Sequence, residues 1–256
     1  MFHAEDVRQS VAESPWFLRP WKPAIASLQL FCFPYAGKGG TMFVSWVREL
    51  RHHLDVVPIQ LPGRDGRKHE ALTQNLDELV DEIARAMQPR LARPYAVFGH
   101  SMGSLLAFEV CRRLQELGAP PPVQLFVSGR RAPQAVVNPV TEGLDDASFV
   151  HMIQSRFGGI PDQLMRDEEL LKFFVPTLRA DFQLLNAYSY RPGPRLSCPV
   201  HAFGGREDRC VTPEELRAWG EQTRGEFSVQ SFPGGHFYLH DEQPALLRTI
   251  VRRITL

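Results

Sequence analysis

The stretch Gly99-His100-Ser101-Met102-Gly103 carries a serine with glycines two residues before and two after it. It follows the apolar run Tyr95–Phe98. It precedes a helical segment with Leu105, Leu106, Phe108, Leu114 and Leu117 available for its buried face and Gly118 suited to the end cap. G-x-S-x-G between a strand and a helix is a nucleophile elbow: the serine sits on a strained turn, its hydroxyl above the sheet and helix amides beside it. Ser101 is therefore a candidate nucleophile. The competing reading is a serine that caps a helix after a glycine turn.

A serine hydroxyl attacks only when a base takes its proton. With an elbow, the partners follow in the order acid, then histidine. Of nine histidines, His3, His52, His53, His69 and His100 precede Ser101, and His100, inside the elbow, should turn its ring away from the hydroxyl. His151 lies in a helical interval and His201 within a strand. His236, in "FPGGHFYLHDE", follows the last apolar strand with two glycines freeing its loop, and His240 is the alternative. Asp208, in "CPVHAFGGREDRCVTPEEL", is the candidate acid, with Glu207 its rival. The preceding strand's loop, "SGRRAP", holds no carboxylate. Asp208 would hold the imidazole in one tautomer and stabilise its charged form.

The glycine-rich stretch "CFPYAGKGGTMF" imitates a phosphate loop in composition. Its spacing fails both nucleotide templates: Cys32 stands where the Walker pattern needs glycine, and Met42 where the dinucleotide pattern does. Acyl transfer at a serine needs two backbone N–H donors for the developing oxyanion, one after the nucleophile and one after an early strand. Met102 and Ala36 occupy those places. Lys38 faces either solvent or an incoming phosphate.

The elements that must position these groups alternate. Strands are predicted over Leu28–Phe33, Val56–Leu61, Tyr95–Phe98, Val123–Val127, Val200–Phe203 and Phe227–Phe232. Helices are predicted over Met42–Arg51, Leu76–Gln88, Met102–Leu117, Glu214–Gln222 and Ala245–Ile254. This rhythm implies an α/β fold: a mainly parallel sheet with helices on both faces. Between Ser128 and Cys198 it breaks into two apolar segments at helical spacing, separated by Gly158, Gly159 and Pro161. We read one domain over 1–256 with a helical lid inserted at 134–190.

Lys plus Arg and Asp plus Glu number 29 each among 256 residues, a balance that argues against a general nucleic-acid binder. No apolar run reaches the length of a bilayer span, and the N-terminus lacks a continuous apolar signal core. Four scattered cysteines read as reduced thiols of a cytoplasmic protein, not as zinc ligands. No metal is expected.

"FPYAGKGGTMF", "QLPGRDGR", "GHSMGSLLAFEV", "YSYRPGPRLSCPVHAFGGREDRCV" and "FPGGHFYLH" together resemble the type II thioesterases of polyketide and nonribosomal peptide synthesis, which are α/β-hydrolases. The resemblance implies a stand-alone hydrolase that clears acyl groups from the phosphopantetheine arms of acyl or peptidyl carrier proteins. It implies the triad Ser101, Asp208 and His236, an oxyanion hole from Ala36 and Met102, and a mobile helical lid. No cofactor is implied, since phosphopantetheine enters with the substrate; a monomer is expected. Lys38 departs from the family's glycine loop. A carrier partner would be acidic, and Arg64, Arg67, Lys68, Arg130, Arg131, Arg206 and Arg209 are read either as a basic rim for it or as solvated surface charges, with Lys38, Arg130 and Arg131 at the substrate entrance. The alternatives are a carboxylesterase or lipase acting on oxygen esters, and a non-catalytic module that docks on a synthase.

Overall fold

The computed structural model describes residues 14–19, 28–135, 141–160 and 165–255. Among the described residues six strands form one sheet: β1 (Gln29–Phe33), β2 (Asp55–Pro58), β3 (Tyr95–His100), β4 (Gln124–Ser128), β5 (Val200–Gly205) and β6 (Phe227–Phe232). Their order is β2-β1-β3-β4-β5-β6 and all five pairings are parallel. Strands β1, β3 and β4 are mostly apolar on both faces because both faces are covered, whereas the edge strand β6 is only partly buried. Leu125 and Val127 of β4 join the core under helices α2 (Leu76–Met87) and α3 (Met102–Glu116). Phe126, between them, points into the opposite core, with α1 (Val44–Leu50) and α7 (Gln243–Thr255).

The helices form where sequence gives both a cap and a stripe. Asn75 caps α2 by accepting from the amides of Asp77 and Glu78, and Leu76, Leu79, Val80, Ile83, Ala84 and Met87 are its buried face. Burying each large side chain of that stripe stabilises the fold by about 1.5–3 kcal/mol. Strand β2 is shorter than the predicted Val56–Leu61: the Ile59 amide still donates to the Cys32 carbonyl of β1 at 2.9 Å, but Ile59 also pairs antiparallel with Phe17, and the regular strand ends at Pro58. The predicted Glu214–Gln222 helix is two pieces. Thr212 and Glu215 make a capping box for α6 (Pro213–Arg217), and a 3₁₀ turn continues through Ala218–Gln222.

Between β4 and β5 the described chain holds α4 (Asp146–Phe157) and α5 (Glu168–Ala187) and no strand. They share a small core of their own, including Phe149, Ile153, Val175, Leu178 and Phe182. Residues 136–140 and 161–164 of the expected insertion lie outside the described residues. Among the described residues, no helix is long and apolar enough to cross a membrane. The four cysteines are buried and unpaired.

The strand order places the site. From β1 the chain moves outward to β2, then returns past β1 to β3 and continues the other way. The loops leaving β1 and β3 therefore diverge at their C-terminal ends and open a crevice, the usual ligand position in open α/β sheets. The Ala36 loop follows β1, and Ser101 follows β3.

Candidate active site

Ser101 sits at φ 52°, ψ −116°, a region that costs an L-residue energy. Its surroundings enforce that conformation. The Ser101 amide donates to the Ser128 carbonyl at 2.8 Å. The Ser104 hydroxyl lies 2.8 Å from the carbonyls of both Gly99 and Ser128 and accepts from the Ser128 amide at 2.9 Å. A Cβ at Gly99 would collide with the Gly103 carbonyl, and one at Gly103 with the Phe33 carbonyl. The elbow glycines are thus required by close backbone approach as well as by the turn.

The structure brings the three sequence-predicted residues together. His236 Nε2 lies 3.1 Å from Ser101 Oγ, and His236 Nδ1 lies 2.8 Å from Asp208 Oδ2. Both partner side chains are buried, at 3% and 0% exposure, so water does not compete for this contact. The other Asp208 oxygen, Oδ1, accepts from the Cys210 amide at 2.8 Å. A carboxylate here only accepts, so Nδ1 carries the proton and Nε2 is left bare toward the serine. Gly205 lets the two loops meet, since a Cβ there would strike the carbonyls of Gly234 and Gly235 beside His236. The alternatives are placed elsewhere. His240 Nε2 is 3.0 Å from the Tyr35 hydroxyl, and Glu207 is exposed.

His100 turns away from the nucleophile, as expected, with Nδ1 2.8 Å from Ser128 Oγ, itself 2.6 Å from the Tyr238 hydroxyl. Burial holds His100 well below the ordinary imidazole range, so it stays neutral under the site. His201, in β5, is likewise pushed down to about 4 by burial, and its two nitrogens meet Ser228 Oγ and Gln124 Oε1 at 2.6 and 2.8 Å. Both histidines bind protons more readily unfolded than folded, so their stability contribution is full above the unfolded pKa and is lost as pH falls from there through the folded pKa. From pH 7 to 5, His201 alone should cost the fold about 2 kcal/mol. Chemical denaturation at the two pH values should show this loss, and His201→Gln should shrink it.

A chamber opens beside Ser101, lined by Tyr35 and Ala36 on one side and by Ile153 and Phe157 of α4 and Leu178 and Phe182 of α5 on the other. The Phe157 ring lies 5.2 Å from that of His236. Met102 is buried at the first position of α3, where its amide belongs to the unsatisfied helix start. Asp208, Cys210 and His236 offer ligand atoms within 4.8 Å of one another. These atoms are already committed, however. Burial pushes the Cys210 thiol up to about 11, and its Sγ donates to the Arg156 carbonyl at 2.9 Å.

The expected basic rim is corrected. Arg67 is buried, with Nε donating to Glu70 at 2.8 Å, and its guanidinium lies 4.1 Å from the centre of the Trp16 ring. Arg64 makes two hydrogen bonds to the buried Asp181, at 2.6 and 2.8 Å. Arg130 is also buried rather than on the rim. It lines the chamber with Nε and Nη2 unpartnered among the described residues, and burial lowers it to about 10, which leaves it cationic. Arg131 lines the same chamber but is tied to Glu215 at 3.2 Å and to the Cys210 carbonyl at 2.7 Å. Lys38, Lys68, Arg206 and Arg209 are exposed. Sequence reasoning missed Asp181, whose "RADFQLL" surroundings read only as an amphipathic helix.

The thioesterase domain family model matches residues 28–254. The gramicidin S biosynthesis protein GrsT of Aneurinibacillus migulanus is 38% identical over 242 residues, 94% of each chain. The structure of the type II thioesterase BorB from the borrelidin biosynthetic cluster superposes with a TM-score of 0.84 at 35% identity, covering 96% of this chain and 98% of BorB. RedJ, a thioesterase of the prodiginine pathway in Streptomyces coelicolor, gives 0.84 at 36% identity over 99% and 96% of the two chains. With the elbow, the buried relay and the switch-point crevice in place, the chain belongs to the thioesterase family and is a thioester hydrolase of the α/β-hydrolase fold.

Proposed function

We propose that this protein is a stand-alone editing thioesterase, which releases acyl groups from the phosphopantetheine arms of acyl or peptidyl carrier proteins in a polyketide or nonribosomal peptide synthase. One observation carries the reading: Ser101, His236 and Asp208 form a buried relay that opens on a chamber shared by the Ala36 loop and the inserted helices. Relatives named for biosynthetic clusters, such as BorB and GrsT, support the choice of substrate class.

In this reading Ser101 Oγ gives its proton to His236 Nε2 and attacks the thioester carbonyl. The oxyanion accepts hydrogen bonds from the Ala36 and Met102 amides. As the tetrahedral intermediate collapses, the C–S bond breaks and the pantetheine sulfur takes the proton from His236. A thiol has a pKa near 8.5, so it leaves with less acid assistance than an alkoxide. Water, deprotonated by His236, then attacks the acyl-enzyme. The acid departs, and Ser101 recovers its proton. The inserted helices act as the lid over the acyl group. Lys38, Lys68, Arg206 and Arg209 are the cations left for an acidic carrier and its phosphate. The enzyme works as a cytoplasmic monomer without a resident cofactor.

The test compares matched substrates. Acyl groups loaded on carrier protein should be hydrolysed with kcat/KM about 100-fold or more above the corresponding oxygen esters, given the better leaving group and the carrier contacts. Equal or reversed preference would favour the carboxylesterase reading. A serine-directed fluorophosphonate that left Ser101 unlabelled would favour a docking module.

A further inference from the structure

The loop after β1 is pinned by a residue far along the chain. Asp181, on α5 of the insertion, is fully buried. Its Oδ2 accepts from the Gly37 amide at 2.7 Å and from Arg64 Nη1 at 2.6 Å, while Oδ1 accepts from Arg64 Nη2 at 2.8 Å. Arg64 also reaches the carbonyls of Pro62 and Lys38 at 3.2 and 3.4 Å. One carboxylate thus joins the inserted helix to the loops after β1 and β2.

The contact bears on Ala36 through a turn. The Lys38 amide donates to the Tyr35 carbonyl at 3.1 Å, and Gly37, third in the turn, has φ +78°. The left-handed glycine aims its amide at α5, where Asp181 accepts it. A Cβ at Gly37 would approach Leu178 Cδ1 to 3.0 Å and Phe174 Cε2 to 3.1 Å. Phe174, Leu178 and Asp181 recur at four- and three-residue spacing on one face of α5, and that face lies on the turn. Across the turn, the Tyr35 hydroxyl is held 3.0 Å from His240. Ala36 therefore sits between two anchored residues.

We propose that Asp181 is a positioning residue for the oxyanion hole: by holding Gly37 it aims the Ala36 amide, so the inserted helix supplies part of the catalytic geometry as well as a cover. The inference rests on the reading of Ala36 as an oxyanion donor. It couples the site's competence to the seat of α5, because α5 cannot leave without releasing Gly37 and stripping Arg64 of its counter-charge.

The test uses the full chain and a small acyl N-acetylcysteamine thioester, which needs no carrier contact. Asp181→Asn keeps the shape and weakens the hold on Gly37 and Arg64. It should lower kcat about tenfold or more while KM stays within about threefold, since a misaimed donor is lost mainly to the transition state. A trifluoromethyl ketone thioether, which forms a tetrahedral adduct on the serine, should weaken by the same factor. A buried charge left without its partner can unfold a protein, so the double variant Asp181→Leu/Arg64→Leu provides a neutral background. It should fold and show the same kcat loss, because Gly37 has still lost its acceptor. Wild-type kcat in either folded variant, or a loss confined to KM, overturns the proposal. Ala36→Pro separates it from the reading beneath it, since proline suits the second position of a turn and removes the amide hydrogen. If Ala36→Pro is as fast as wild type, the donor assignment fails. If it is slow while the Asp181 variants are fast, only the coupling fails.

Discussion

Ser101→Ala is expected to abolish turnover on acyl-carrier substrates, with kcat falling about 10⁶-fold while substrate binding changes little. The size follows from the geometry. No other hydroxyl approaches His236 Nε2 among the described contacts, and Ser101 Oγ lies 3.1 Å from it. Alanine preserves the chamber, the helix start and the Ala36 turn, so what is removed is the covalent step itself. Residual hydrolysis would come from water placed against the same oxyanion donors. Single-turnover release of radiolabelled acyl groups from carrier protein measures it. Retained wild-type turnover would end the acyl-enzyme mechanism.

Asp208→Asn is expected to cost about 10⁴-fold in kcat, with the fold intact. The reason lies in the two hydrogen bonds of this carboxylate. The Cys210 amide donates to Oδ1, so an asparagine must place its own carbonyl oxygen there. Its NH₂ group then faces His236 Nδ1, which must become an acceptor. The imidazole proton moves to Nε2, and the base presents a donor to the hydroxyl it should deprotonate. Steady-state kinetics with an unchanged thermal midpoint would separate this tautomer effect from unfolding. A loss below about tenfold would leave Asp208 with a structural role only.

Much of this site is legible in the sequence because its signals are local. The elbow is five consecutive residues between a strand and a helix, and its glycines are dictated by neighbours in the same turn and by the β1 loop. The loop after β5 offers Asp208 and Glu207, and the glycines before His236 mark a loop that must bend. Strand alternation with helices gave the parallel sheet, because a strand buried on both faces must be apolar throughout. The regular part of β2 ends at Pro58 although the run continues to Leu61, and hydropathy does not register that Ile59 meets the distant Phe17.

Charged residues show the limit. Arg64, Arg67, Arg130, Lys68, Arg206 and Arg209 occupy similar loop contexts, and no local pattern says which will be covered. Burial depends on what packs over each loop: Trp16 lies over Arg67, and α5 lies over Arg64. Sequence by itself gave the candidate nucleophile Ser101, the choice of Asp208 or Glu207 as acid and of His236 or His240 as base, and the order of elements, since each follows from residue type and short-range spacing. Only the tertiary structure decided which arginines are buried, and that Asp181, 144 residues from Gly37, accepts from the amide of Gly37 in the turn after β1. A hydrogen bond between distant segments is fixed by how helices and loops pack, and the sequence around either partner carries no trace of the other.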